Sequence, residues 1–229
     1  MSVAVVVPWR DKGDQHRRAN MEQVRANLIE QVPDWRIIWS TDHRTGPFNR
    51  QAAYNNGAKR TDADILIWHE ADIIADRDTL LRLAEAAREP GLHTVSTMHK
   101  LDESGAVAEV VTMKPQGIYG HVGGPLSACS RESLSAVGRW DESLSGHGWD
   151  DNAMNLAFRV ACRVTPAPIE ATITHLWHPR GVARYDKDFD ASLHTPEELD
   201  ASDANLARLR AYRKAKTPED VRALTMEAA

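Results

Sequence analysis

Ile65-Leu66-Ile67-Trp68 places four apolar residues in succession with no polar alternation. A strand built from such a run is buried on both faces. That confines the chain to a sheet covered on two sides, the arrangement of parallel α/β folds. The run continues into His69-Glu70-Ala71-Asp72, so two acids one residue apart fall at the strand's carboxyl end. In open α/β sheets that edge is where ligands bind. Carboxylates there suit a divalent cation and the phosphates it carries. A polar strand end with two solvated acids is the plainer alternative.

The remaining elements follow from local signals. Residues 3–7 are a β-branched run ending at Pro8, a first buried strand. The loop Trp9-Arg10-Asp11-Lys12-Gly13 leads to a helix over 14–31, with Val24, Leu28 and Val32 as its apolar face and Pro33 as its stop. A second strand covers 35–39. Phe48-Asn49-Arg50 opens a helix reaching about residue 59. Asp78 is the expected cap of a helix ending near residue 88. A hairpin is expected over 93–98 and 106–112, turning at Asp102-Glu103-Ser104-Gly105. A strand over 125–130, helices over 131–137 and 152–160, and short strands over 162–165 and 171–174 complete the sheet. Thr195-Pro196-Glu197-Glu198 is a capping box with proline at the first helical position, and Thr217-Pro218-Glu219-Asp220 repeats the start signal. Strands alternating with helices predict a mostly parallel sheet flanked by helices, with two further helices at the C-terminus.

At 229 residues the chain is long enough for one large α/β domain, or one domain with a helical appendage. A net charge of -5 argues against a nonspecific nucleic-acid binder, which needs a basic footprint. Cys129 and Cys162 lie in apolar segments and read as buried free thiols. The N-terminal residues are Met-Ser and a β run, without the basic start and apolar helix of a signal peptide, and no apolar run spans a bilayer; the expected location is the cytoplasm. The loop after the first strand lacks the glycine fingerprint of a dinucleotide oxidoreductase. No serine or cysteine lies in a nucleophile elbow. Seven tryptophans invite stacking on bases or sugars, although core filling is their commoner use.

Several groups are candidates for chemistry. Arg10 and Arg50 fall at or near the ends of strands that share one crevice, and a guanidinium binds pyrophosphate or a uracil edge through paired hydrogen bonds; solvated surface arginines are the plain alternative. Asp72 offers oxygen to a hard cation. His175 and His178 are three apart, which places them on one side if the segment turns. Asp150 and Asp151 open a helix, where acids are favoured by the dipole and where one carboxylate can also act as a general base. Gly146 and Gly148 loosen the preceding loop, and Trp149 or Trp140 can stack on a sugar face. Gly123-Gly124 allows close backbone approach to a sugar or phosphate, or marks a plain turn.

Pro8-Trp9-Arg10, Phe48-Asn49-Arg50 with Asn56 and Gly57, Glu70-Ala71-Asp72, and Gly123-Gly124 followed by Trp140-Asp141-Glu142 and Gly146-His147-Gly148-Trp149-Asp150-Asp151, taken in that order with His175 and His178, resemble glycosyltransferases of the GT-A fold. The likeness is to the β-1,4-galactosyltransferase family and bacterial chondroitin-synthase type domains, and it covers roughly residues 3 to 180. It implies an inverting transfer of a sugar from a nucleotide sugar, with UDP the expected nucleotide, to an acceptor hydroxyl, assisted by Mn²⁺ or Mg²⁺. It implies Asp151 as the base and Asp150 as an acceptor-binding neighbour. Asp72, His178 and His175 become metal ligands. Pro8, Arg10, Phe48, Arg50, Glu70, Ala71, Asp72, Gly124 and Trp149 become donor-binding residues. Glu70 departs from the family's first Asp: its carboxylate is one methylene further out. The domain expected is 1–182, with a nucleotide-binding half over 1–75 and an acceptor-binding half over 93–182, followed by an irregular segment and helical appendage over 183–229. Saccharide, protein, lipid-linked and modified nucleic-acid acceptors remain open, and the C-terminal helices can serve self-association or acceptor docking. The competing readings are a catalytically degenerate nucleotide-sugar or glycan-binding module and, behind it, a nucleotidyltransferase.

Overall fold

The structure is a computed structural model that describes residues 1–113, 124–146, 148–179 and 195–227. Among these the chain runs β1 (Val3–Pro8), α1 (Gln15–Gln31), β2 (Arg36–Ser40), α2 (Arg50–Ala58), β3 (Ile65–His69), β4 (Ile73–Ile74) and α3 (Arg77–Ala86). It continues with β5 (His93–Leu101), β6 (Val107–Thr112), β7 (Leu126–Ser130), α4 (Arg131–Val137), α5 (Asp150–Cys162), β8 (Ile169–His175), α6 (Pro196–Tyr212) and α7 (Pro218–Glu227).

The strands form one sheet in the order β2-β1-β3-β7-β5-β8-β4, with β6 paired to β5. β1 runs parallel to β2 and β3, and β5 runs parallel to β8. β7 is antiparallel to both β3 and β5, β6 to β5, and β4 to β8. The first half of the sheet is therefore parallel as expected, and the whole sheet is mixed. The β5–β6 connection shows one reason. It is a tight turn, with Asp102 N donating to Ala106 O at 2.8 Å and Gly105 at φ +84°, and such a turn leaves only antiparallel pairing.

Both faces of the sheet are covered. Along β1 and β3 alternate side chains point to opposite faces. Val5, Val7, Ile65 and Ile67 meet Val24 and Leu28 of α1 and Leu80 and Leu83 of α3. Ala4, Val6, Leu66 and Trp68 meet Tyr54 of α2, Met154 and Phe158 of α5, and Leu209 and Tyr212 of α6. Each fully buried Leu or Val side chain contributes about 1.5–3 kcal/mol. Helix α2 lies directly on β1: a Cβ at Gly57 would stand 2.2 Å from Val6 Cγ1, so only glycine permits that approach. Trp68 and Trp140 fill core, with Trp140 5.2 Å from Trp68 and 5.1 Å from Tyr54 between ring centroids. Cys129 is a buried free thiol, pushed up to about 12 by burial, and Cys162 is free and half-buried.

Three local expectations change. The cap of α3 is Asp76, not Asp78; Asp76 accepts from Thr79 N at 2.8 Å, and Asp78 falls inside the first turn. Residues 162–165 are not a strand, because Cys162 closes α5 and Arg163 turns left-handed at φ +57°. The two-residue strand β4 was invisible to periodicity, since two residues carry none. The boundary expected at residue 182, the segment over 183–194, Gly123 and His147 lie outside the described residues. The Thr195 capping box is present, and α6 and α7 place Leu209, Tyr212, Ala215 and Val221 in the same core as the sheet.

Candidate active site

Register explains how residues a hundred positions apart meet at one edge. Ile73 of β4 pairs with His175 of β8, and Leu176 N donates to Asp72 O at 2.8 Å. Asp72 is thereby fixed opposite the end of β8. His178 follows as the chain leaves the strand. Its Nε2 lies 3.2 Å from Asp72 Oδ2, and His175 Nε2 lies 3.9 Å from the same oxygen. One donor atom from each of the three residues falls within 4.8 Å of the others. Helix α1 braces the segment: Asn20 Nδ2 donates to Trp177 O at 2.9 Å, His16 meets Trp177 edge-on, and Arg17 Nη2 lies 3.3 Å from His178 Nδ1.

This donor set fits a divalent cation. It offers one carboxylate and two imidazoles, which Mn²⁺ accepts. Asp72 Oδ1 is buried without a hydrogen-bond partner among the described residues, an orphan that a cation would satisfy. Burial works to raise the Asp72 carboxyl, and the hydrogen bond from His178 with the charges of both imidazoles outweighs it, holding the group below the usual carboxylate range.

A second cluster centres on Arg50, the first residue of α2. Its cap Asn49 accepts from Ala52 N at 2.7 Å. Arg50 Nη2 reaches Asp150 Oδ2 and Asp151 Oδ1, both at 2.5 Å, and Nη1 is paired with Glu70. Gln51 Nε2 also donates to Asp150 Oδ2, at 3.1 Å. Burial works to lower the Arg50 guanidinium and the two aspartates work to raise it; the aspartates win and it stays charged. Asp151 is pushed up to about 6, first by burial and then by the neighbouring Asp150, against the pull of Arg50. Its side chain still keeps 45% of its surface open, so one edge faces the solvent side.

The backbone that presents these acids is strained. Trp149 caps α5 at φ +66° with no side-chain cap bond, between Gly146 at +68° and Gly148 at +96° and the acids of the first turn. A bulky residue at positive φ persists only when its surroundings enforce it. Here α6 does so. Asn205, fully buried, accepts from Ser145 N at 3.1 Å and donates to Ser145 O at 2.8 Å and Gly148 O at 2.9 Å. Behind it Asp141 accepts from Arg208 Nε at 2.6 Å and Tyr212 Oη at 2.8 Å. On the other side Gly146 N donates to Phe48 O at 2.9 Å. Asn205→Ala leaves three half-buried backbone groups short of partners. It is expected to lower stability by about 1–3 kcal/mol, read as a drop in Tm, together with slower turnover.

The expected donor-binding residues divide. Pro8 ends β1 beside Ser40 of β2. Arg10 is engaged by protein acceptors: Nη1 reaches Asp42 Oδ2 at 3.1 Å and Arg44 O at 2.6 Å, Nη2 reaches Gly46 O at 2.6 Å, and the guanidinium lies 5.4 Å from the Phe48 ring centre. Asp72 lies with the histidines, and Ala71 packs against the core cluster that includes Leu176. Gly124 and Asp151 line a small, open cleft with Arg50, Tyr54, Ser127 and Trp140. A Cβ at Gly124 would stand 3.2 Å from Thr94 Oγ1. Trp149 packs against the core beside α6 rather than standing free. Sequence reading missed Asn205 and Arg17 because they act through contacts far along the chain. Lys12 belongs with Arg17: burial, then Arg10 and Arg17 nearby, hold its ammonium below the ordinary lysine range.

The fold is shared with solved enzymes. The catalytic domain of Drosophila β-1,4-galactosyltransferase 7, in complex with xylobiose, superposes with a TM-score of 0.57 at 15% identity, over 95% of this chain and 83% of that one. A mutant of that enzyme in complex with manganese, UDP-Gal and xylobiose gives 0.54 at 14% identity, over 87% and 79%. Mannosyltransferase PcManGT from Pyrobaculum calidifontis, in complex with GDP-Man and Mn²⁺, gives 0.52 at 15% identity, over 99% and 79%. The chain has the GT-A fold. Its sequence matches no family model and no curated protein. No helix among the described residues is long and apolar enough to cross a membrane.

Proposed function

We propose that this chain is a metal-dependent, inverting glycosyltransferase that moves a hexosyl group from a nucleotide sugar to an acceptor hydroxyl. The observation that carries the reading is a juxtaposition on a GT-A fold. The strand end leading into the Asp72–His175–His178 cluster is joined through Arg50 to the Asp150–Asp151 pair at the head of α5. UDP is the first nucleotide to test, because the motif order resembles the galactosyltransferases; the solved neighbours carry UDP-Gal and GDP-Man. A saccharide is the first acceptor to test, since xylobiose occupies the galactosyltransferase neighbour.

Asp72, His175 and His178 would hold the cation, and when bound it would neutralise charge on the departing diphosphate. Arg17, whose Nη2 lies 3.3 Å from His178 Nδ1, and Lys12 on the loop after β1 would offer positive charge to the same phosphates. Arg10 orders the 42–48 loop from beneath. Asp151 takes the proton of the acceptor hydroxyl as that oxygen bonds to the anomeric carbon and the anomeric carbon–phosphate oxygen bond breaks. Nucleoside diphosphate leaves from the opposite face, so configuration inverts. Asp150, held by Arg50 and Gln51, keeps α5 in register for this attack.

A general base must be ionised to work. With Asp151 at about 6, turnover is expected to rise with pH through that value and level off above it. The test is release of nucleoside diphosphate from UDP-Gal or GDP-Man with Mn²⁺ and xylobiose, followed across pH 4.5–8 (a range on the order of two units either side of the carboxyl). A thermal-shift screen with UDP, GDP, CDP and TDP sugars accompanies it, because binding to the native state raises its stability. No stabilisation by any of them with Mn²⁺ would overturn the donor site.

A further inference from the structure

Glu70 stands where the resembling family has the first aspartate of its motif, and it lies outside the Asp72–His175–His178 cluster among the described residues. Its carboxylate is spent on Arg50. Its backbone continues the β3–β7 pairing, with Glu70 N donating to Pro125 O at 2.9 Å. Arg50 in turn is largely enclosed, 16% of its side chain open, and it meets carboxylates from two segments about eighty residues apart. A planar guanidinium binds in the orientation its partners fix. With Nη1 held by Glu70 at the end of β3, Nη2 is turned to Asp150 and Asp151 on α5. An aspartate at position 70 would place its carboxylate one methylene short of that nitrogen.

We infer that Glu70 is a positioning residue for the general base: it anchors Arg50, which holds Asp151 in place, and it does not ligate the cation. The inference rests on the transferase reading, and it gives the departure at position 70 a function. The extra methylene gives this carboxylate the reach to the guanidinium. It also assigns Arg50 to the base rather than to the donor phosphates. Among the described residues, the charged and titratable groups facing Arg50 are Glu70 just past β3, Asp150 and Asp151 from α5, and Tyr54 from its own helix, one turn on.

The two conservative changes separate the roles. Glu70→Asp keeps the charge and restores the family's residue but shortens the reach. Glu70→Gln keeps the reach and an oxygen acceptor but loses the charge. Each is compared with wild type for Mn²⁺ affinity by EPR titration, for kcat and donor KM, and for hydrogen exchange at the first turn of α5. An anchoring role predicts that Glu70→Asp lowers kcat roughly 10–100-fold with donor KM and Mn²⁺ affinity unchanged, and speeds exchange at α5. Glu70→Gln then loses less of both. The reverse order, with Glu70→Gln weakening Mn²⁺ binding about tenfold or more and Glu70→Asp near wild type, overturns it. If wild type turns over no nucleotide sugar, the transferase reading fails by itself, and exchange still decides: faster in Glu70→Asp than in Glu70→Gln supports the anchor, and no difference refutes it.

Discussion

Asp151→Asn abolishes most of the transfer: kcat is expected to fall by about 10²–10⁴-fold, the range for loss of a positioned general base. Asparagine keeps the shape of the side chain and still offers an oxygen to Arg50 Nη2, which lies 2.5 Å from Asp151 Oδ1. The change therefore removes a proton acceptor and little else. Binding of nucleotide sugar with Mn²⁺, followed by thermal shift, stays near wild type, because Asp72, His175 and His178 are untouched. The rise of turnover through pH 6 disappears with the carboxyl that titrates there. A variant that keeps more than a third of wild-type kcat (roughly a change too small for a general base) would move the role to Asp150 or away from this pair.

Asp72→Asn is expected to abolish metal-supported activity by a different route. Asp72 is the carboxylate of the cluster, and His178 Nε2 and His175 Nε2 are 3.2 and 3.9 Å from one of its oxygens. Outer-shell changes at metal sites weaken binding 10–100-fold, so loss of the anionic ligand itself should raise the Mn²⁺ dissociation constant by more than about 100-fold. EPR titration of free Mn²⁺ reads this directly, without a substrate. The fold should survive, because the backbone bond from Leu176 N to Asp72 O and the β4–β8 pairing involve no side chain of Asp72. Unchanged Mn²⁺ affinity in this variant would falsify the assignment of the cluster as the metal site. Failure of Asp151→Asn and failure of Asp72→Asn are separable: the first leaves binding and removes chemistry, the second removes binding.

How much of this was legible along the chain depended on the range of the contact involved. Val24 and Leu28 on one helix face, the Thr195 capping box and the Ile65–Trp68 run are signals written within a few residues, and each produced the element expected. Asp78 misled by two residues because Asp76 and Asp78 are both competent caps; the bond to Thr79 N, which only a folded turn displays, selects the first. Residues 162–165 carry β-favouring valine and threonine, but a left-handed Arg163 ends α5 there and the chain turns away. Arg10 follows β1 and Arg50 opens α2, where the local signals put them. What their guanidinium groups touch depended on Asp42 thirty-two residues away and on Asp150 a hundred residues away.

The sequence by itself determined the α/β layering, the strand edge that carries the acids, and the residue types gathered there, because apolar runs, caps and turn residues act locally. Tertiary structure decided which acid does what. Glu70 and Asp72 are separated by one residue and look alike in a string of letters. The β4–β8 register sends Asp72 to His175 and His178, and the placement of α2 sends Glu70 to Arg50. The reason is physical. A side chain's partner is set by distance and direction in the packed state, and neither is encoded by the residues on either side of it.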